Sequence, residues 1–162
     1  MSASRFLAAS FACMLVMLVL GACRTKPPPA AKPADAPTVI SASGDVNPDL
    51  SGRASPVVVR IYQLRGDAEF NSADFVALFE REKETLGVSL IARDERTVFP
   101  GQRVQLVLAL SPETRFIGAV AAFRDVAGTR WHTLIPATQE SVVKRPITVS
   151  VAKGMISFSA GS

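Results

Sequence analysis

Alternation of apolar and polar positions dominates the chain beyond residue 56. In "VVVRIYQL" (57–64), Val57, Val59 and Ile61 fall on one side and Val58, Arg60, Tyr62 and Leu64 on the other. That period, with high β-branched content, predicts a strand. In "QRVQLVLAL" (102–110), Val104, Leu106, Leu108 and Leu110 alternate with Arg103, Gln105, Val107 and Ala109, which predicts a half-buried strand with a wetter outer face. "FIGAVAAF" (116–123) is apolar on both sides, and Gly118, Ala119, Ala121 and Ala122 are small. It is expected to run centrally, with neighbours close on each side. Shorter strand signals lie at Thr38 to Ala42, Val98 to Phe99, Arg130 to Leu134, Pro146 to Val151 and Met155 to Ser159. Turn dipeptides separate them: Pro100-Gly101, Ser111-Pro112, Ala127-Gly128 and Lys153-Gly154.

One segment departs from period two. In "NSADFVALFEREKE", Phe75, Leu78 and Phe79 recur at helical spacing, with Asn71 or Ser72 as candidate N-cap and Asp74 in the first turn. A short helix is therefore expected to lay its aromatic stripe on a sheet or over an edge. Many short strands with such an insertion predict a mainly β chain folded as a two-sheet β-sandwich with a short added helical element.

The N-terminal region has a different character. Phe6 to Leu20 is apolar apart from Ser10, a run of 15 residues behind Arg5, whereas a bilayer-spanning helix needs about 20. A basic start, a short apolar run and small residues after it describe a secretory signal. Its end, Leu20-Gly21-Ala22-Cys23, resembles a bacterial lipobox, at which cleavage precedes a cysteine that carries lipid. Residues 1–22 are thus expected to be a lipoprotein signal peptide and Cys23 the lipidation site. Cys13 would leave with the signal, so the mature chain would keep no thiol free to pair. Several acyl chains, at about 0.8 kcal/mol per buried methylene, give durable anchoring where one chain does not. Arg24 follows the cysteine; in enteric-type lipoproteins an Asp there favours inner-membrane retention, so outer-membrane sorting facing the periplasm is expected.

From Arg24 to Pro37 the composition is mainly Pro, Ala, Lys and Asp, which cannot offset its ordering entropy by burial. Residues 23–37 are read as a lipidated Pro-rich tether, at about 3.1 Å per residue reaching on the order of 40 Å, and 38–162 as the β-sandwich periplasmic domain.

Charge and chemistry narrow the function by exclusion. Lys and Arg number 18 against 14 Asp and Glu, a formal charge of +4, but the basic residues are scattered, not clustered as a nucleic-acid footprint requires. The single histidine, His132, beside Trp131, has no mature cysteine or second histidine to complete a metal set. No Walker loop, G-x-S-x-G, H-E-x-x-H or dinucleotide fingerprint occurs. The acidic pairs Asp94-Glu95 and Glu82/Glu84 lie among Lys and Arg and read as solvated faces. No catalysis and no cofactor are expected.

The stretch "DVNPDLSGRASPVVVRIYQL" carries more information. Asn47-Pro48-Asp49, Gly52 and Ser55-Pro56 are turn formers and predict a loop of about a dozen residues ahead of Val57. Together with "ADFVALF", Leu86-Gly87, Pro100-Gly101, "FIGAVAAFRD" and Trp131, this region resembles the TssJ family (SciN/VasD/Lip type), the outer-membrane lipoprotein of the type VI secretion system. The resemblance spans Thr38 to Phe158, and the lipobox stands where that family has it. It implies a transthyretin-like sandwich that acts without catalysis by binding the periplasmic domain of the inner-membrane protein TssM, with TssL in the same envelope complex. The family's contact loop maps onto Asp45 to Pro56. The expected partner-binding residues are Asn47, Pro48, Asp49, Leu50, Arg53 and Ser55, although Asn47, Pro48, Asp49 and Gly52 could equally serve only to shape the turn. The alternative is a lipid-anchored binding module for a glycan or small ligand. Such a module would present outward aromatics, and this chain has few.

Overall fold

The computed structural model describes residues 34–137 and 146–160. The expected signal peptide, the lipidation site Cys23 and most of the expected tether lie outside these residues.

Among the described residues, eight strands form two four-stranded sheets. β1 (Ala34–Ala42), β4 (Arg103–Leu110), β7 (Ile147–Ala152) and β8 (Met155–Ala160) make one sheet in the order β4-β1-β7-β8. β2 (Val57–Leu64), β3 (Leu90–Val98), β5 (Phe116–Ala121) and β6 (His132–Pro136) make the other, in the order β3-β2-β5-β6. Only β1 and β7 run parallel; the other paired neighbours are antiparallel. Three short helices, α1 (Ala68–Ser72), α2 (Phe75–Glu80) and α3 (Glu82–Leu86), followed by a 3-10 turn, connect β2 to β3. No helix among the described residues is long and apolar enough to cross a membrane.

The two faces of β2 explain the layering. Val57, Val59 and Ile61 point between the sheets, where they meet Ile40, Val149 and Ile156, all buried. Tyr62 and Leu64 point the opposite way, into a second core with Phe70, Leu78 and Leu86 from the helices. Burying each such aliphatic side chain contributes about 1.5–3 kcal/mol. The helices thus cover the outer face of one sheet, and Tyr62 donates its hydroxyl hydrogen to the Leu78 carbonyl at 3.1 Å. β5 is central as expected, paired with both β2 and β6. Its small residues admit a neighbour: a Cβ on Gly118 would lie 2.7 Å from the Phe70 ring.

Four expectations need correction. β1 starts at Ala34, ahead of Thr38, because Ala34 to Pro37 continue the pairing with Val107 to Leu110; proline suits this stretch only where its missing N–H is not required. The short signal at Val98 to Phe99 is the end of the long strand β3, which pairs with β2 alone and carries Arg93, Asp94, Glu95 and Arg96. Charges on both faces erase the alternation, and they also guard an open edge. The N-cap of the aromatic helix is Asp74, whose carboxylate accepts from the Ala77 N–H at 2.8 Å, while Asn71 and Ser72 belong to α1. Ala73 is extended and separates the two. Finally, Glu82 is not a solvated residue. Its side chain is largely covered and pairs with Arg93 at 3.1 Å and Arg60 at 3.8 Å.

Candidate functional site

The β1–β2 connection, residues 43–56, stands at one end of the sandwich and is built as a braced loop. Asn47 sits at its base, 5% exposed and with a positive φ of 48°, a conformation that asparagine tolerates better than most residues. Its Nδ2 donates to the Pro56 carbonyl at 2.7 Å and its Oδ1 accepts from the Arg124 N–H at 2.9 Å. Val46 is fully buried beneath it, and the Ser55 N–H donates to the Val46 carbonyl at 3.0 Å.

Above this base the chain makes a tight turn organised by Asp49. The Asp49 carboxylate accepts from the N–H groups of Ser51 and Arg53, both at 2.9 Å, and from Arg53 Nε at 3.2 Å. The backbone N–H of Arg53 is the largest cause holding this carboxyl below its usual range; desolvation, next in size, opposes it, and the N–H of Ser51 and the guanidinium add to the lowering. Gly52 takes φ +78°, which relieves the turn of a Cβ in the left-handed region.

The six residues expected at the site therefore separate. Leu50 is fully exposed at the tip and Arg53 is 85% exposed along its side chain. Pro48 is half-buried and lines hollows on the flank of the loop. Asp49 folds the turn. Asn47 and Ser55 are buried and brace the loop from within, so their polar groups are directed at this chain.

Residues that sequence reasoning left out complete this end of the molecule. The β5–β6 loop (residues 122–131) and the β7–β8 hairpin turn stand beside Pro48. They are fastened together: the Arg130 N–H donates to the Gly154 carbonyl at 3.0 Å and the Arg130 carbonyl accepts from Ile156 at 2.9 Å. A Cβ on Gly154 would come within 2.9 Å of Thr129 Cγ2, so the hairpin lies hard against the loop. A hollow of about 430 Å³ opens here, lined by Pro48, Phe123, Thr129, Lys153 and Met155 among others. A shallower one of about 800 Å³ runs between Leu50 and Arg124. Ala127-Gly128 and Lys153-Gly154 were legible as turns, but nothing in the sequence pattern brought them beside Asn47.

His132 does not join this end. It lies against Phe70, with ring centroids 5.8 Å apart, and Trp131, at 4.1 Å. Burial pushes its pKa down, and its Nδ1 has no hydrogen-bond partner among the described residues. That environment suits a neutral packing residue. Among the described residues, no group of three or more His, Cys, Asp or Glu is placed to hold a metal ion.

The fold has counterparts among solved structures. The crystal structure of the type VI secretion lipoprotein TssJ1 from Pseudomonas aeruginosa superimposes with a TM-score of 0.71 at 29% identity, over 80% of this chain and 98% of that one. Lip from Serratia marcescens, a membrane-bound component of the type VI secretion system, matches with a TM-score of 0.72 at 25% identity, over 80% and 99%. A chain in the structure described as the TssM C-terminal domain (869–1107) from EAEC matches with a TM-score of 0.64 at 25% identity, over 77% and 97%. No curated protein matches the chain in sequence. The family model described as type VI secretion lipoprotein, VasD, EvfM, TssJ matches residues 35–154, and with that span covering most of the sequence the chain belongs to the type VI secretion lipoprotein family.

Proposed function

We propose that this protein is the outer-membrane lipoprotein of a type VI secretion envelope complex, lipidated at Cys23, and that it binds the periplasmic domain of TssM through the β1–β2 loop. In this reading it acts without catalysis and shares the assembly with TssL. The observation that carries the reading is the build of the loop. An exposed leucine and an exposed arginine are presented at its tip, while its base is buried and hydrogen-bonded. Preorganisation of this kind lowers the ordering cost of association, and arginine is enriched among residues that dominate interface energetics. The structural match to a chain in a structure described by its TssM domain supports the choice of partner.

Topology supports the geometry of anchoring. β1 begins at Ala34 beside Leu110 and ends next to the loop, with Ser41 beside Arg103. Nine residues at about 3.3 Å each separate the two ends by about 30 Å. The chain following the lipidated cysteine thus comes in at one end of β1, and the loop projects from the other. A glycan-binding module would need several outward aromatics; of the exposed large hydrophobics among the described residues, only Phe99 is aromatic.

The test is binding of the full-length protein in detergent to the purified periplasmic domain of the cognate TssM, by calorimetry. Saturable binding weakened by Arg53→Glu and by Leu50→Asp is expected; no binding by the folded protein refutes the assignment. Incorporation of labelled palmitate by the wild type, and its loss in Cys23→Ser, checks the lipid separately.

A further inference from the structure

The hollow between the β1–β2 loop, the β5–β6 loop and the β7–β8 hairpin is a feature that the loop reading does not use. Its floor is Phe123, 5% exposed, and its rim carries Met155, which is 43% exposed although it begins a strand. At about 430 Å³ it falls within the size range of clefts that enclose small ligands, about 300–1,000 Å³. Its walls are held in place by the Arg130–Gly154 and Arg130–Ile156 hydrogen bonds and by the Asn47–Arg124 link. Pro48 lines both this hollow and the neighbouring one under Leu50, so the hollow continues the surface of the loop.

The charge around it is mixed at the lining, where Asp125 stands with Lys153, and net positive over this end as a whole. Five exposed cations stand at this end of the sandwich, among them Arg124, Arg130 and Lys153, against the three carboxylates of Asp45, Asp49 and Asp125. Each carboxylate already has a donor within the chain: Ser43 Oγ for Asp45 at 2.5 Å, the turn N–H groups for Asp49, and the Gly128 N–H for Asp125 at 3.4 Å. Among the described residues, by contrast, Arg124, Arg130 and Lys153 take part in no ion pair. Asp45 and Asp125 take part in none either, so the unpaired charge of this surface is positive only by the excess of its cations over its carboxylates.

We propose that this hollow is a socket for an apolar side chain carried on an acidic segment of the same partner that the β1–β2 loop engages; the inference rests on that loop reading. Leu50 then reaches outward into the partner, while Phe123 and Met155 receive a side chain from it. Lys153 and Arg124 meet the flanking carboxylates. Paired contacts of this type, an apolar anchor in a pocket within a charged rim, concentrate binding energy and set the association rate.

The experiment compares the affinities of full-length wild type, Leu50→Asp, Met155→Glu, Lys153→Glu and Phe99→Glu for the TssM periplasmic domain, at low and high salt, with a thermal melt for each variant. Phe99 is exposed on the β3–β4 turn, on the other flank of the loop, and serves as the control. The expected result is weakening of at least about fivefold for Met155→Glu and Lys153→Glu, no change for Phe99→Glu, and a slower association at high salt. Loss of binding in Leu50→Asp with full affinity in both socket variants overturns the socket and leaves the loop reading intact. Absence of wild-type binding removes the loop reading first. Should Met155→Glu lower the melting temperature, Lys153→Glu, a change at an exposed side chain, decides alone.

Discussion

Asn47 and Arg124, 77 positions apart, are joined by a hydrogen bond of 2.9 Å from the Arg124 N–H to the Asn47 side chain. The same amide closes the β1–β2 loop by donating to the Pro56 carbonyl. Asn47 therefore supports the loop without displaying its polar groups to a partner. Asn47→Ala is expected to lower stability by about 1–3 kcal/mol, since it strands a buried acceptor and donor and places alanine at positive φ. It should also raise amide exchange across residues 49–55 and weaken partner binding. Asn47→Gly, which accepts the backbone but not the bonds, should separate the two contributions. Hydrogen exchange resolved along the loop checks this; protection unchanged in Asn47→Ala would place the bracing elsewhere.

Gly118 faces the ring of Phe70 at the middle of β5, where an added Cβ would lie 2.7 Å from ring carbons. Both groups are on regular, buried elements, so neither moves aside cheaply. Gly118→Val is expected to cost on the order of 1–3 kcal/mol through overpacking, and pairing it with Phe70→Leu should recover part of the loss. Denaturant unfolding of the two single variants and the double variant measures the coupling. Simple additivity would mean that the clash is relieved by other shifts.

Much of this fold was readable from side-chain periodicity, and the misses have specific causes. β4 alternates because one face packs against the core, while β2 and β5 read as strands through β-branched or continuous apolar runs because both of their faces are packed. β3 does not, because it is an edge strand whose outward positions carry charge, and only its last residue, Val98, is buried. The helix signal was genuine, but its cap was misplaced: three polar residues preceded the stripe, and only the backbone break at Ala73 decides among them. At the candidate site, the loop could be located from Asn47, Pro48, Asp49 and Gly52, yet the difference between Asn47, buried, and Leu50, exposed, depends on contacts with a segment far along the chain. Phe123, Lys153 and Met155 were legible as the end of a strand, a turn and the start of a strand, but carry no signal that they line one hollow. Their association is a product of sheet topology.

Asp74 caps α2 through its hydrogen bond from Ala77, and α2 supplies Leu78, which is fully buried, and Phe79, whose ring lies 3.7 Å below the Arg60 guanidinium. Asp74→Ala is expected to destabilise the protein by about 1 kcal/mol, and Asp74→Ser to cost much less, because serine retains an acceptor at the same position. Phe75 of this helix packs edge-on against Trp131 at the end of the β5–β6 loop, with ring centroids 5.5 Å apart, but α2 supplies no residue to the β1–β2 loop or to the hollow beside it, so the affinity for the partner should not change. A shift of the denaturation midpoint without a change in binding is the expected pair of readings; a loss of affinity in Asp74→Ala would implicate the helical face in the interface.

Tyr62 is the only tyrosine in the chain, so its phenolate absorbance reports a single group. Burial, opposed by Arg60 nearby, pushes its pKa up from 10.0 to about 12. The unfolded chain releases this proton at the ordinary value, about pH 10, while the folded chain holds it further. Between those values the native state binds more protons than the unfolded state, so stability falls as pH rises through this window. The contribution is fully present below about pH 10. Titration of the folded protein should therefore show phenolate only near unfolding, and Tyr62→Phe should flatten the alkaline decline while losing the bond to the Leu78 carbonyl. If phenolate developed at the ordinary value with the fold intact, the layer between helices and sheet would have to be open to water, and the packing assigned to Phe70, Leu78 and Leu86 would be wrong.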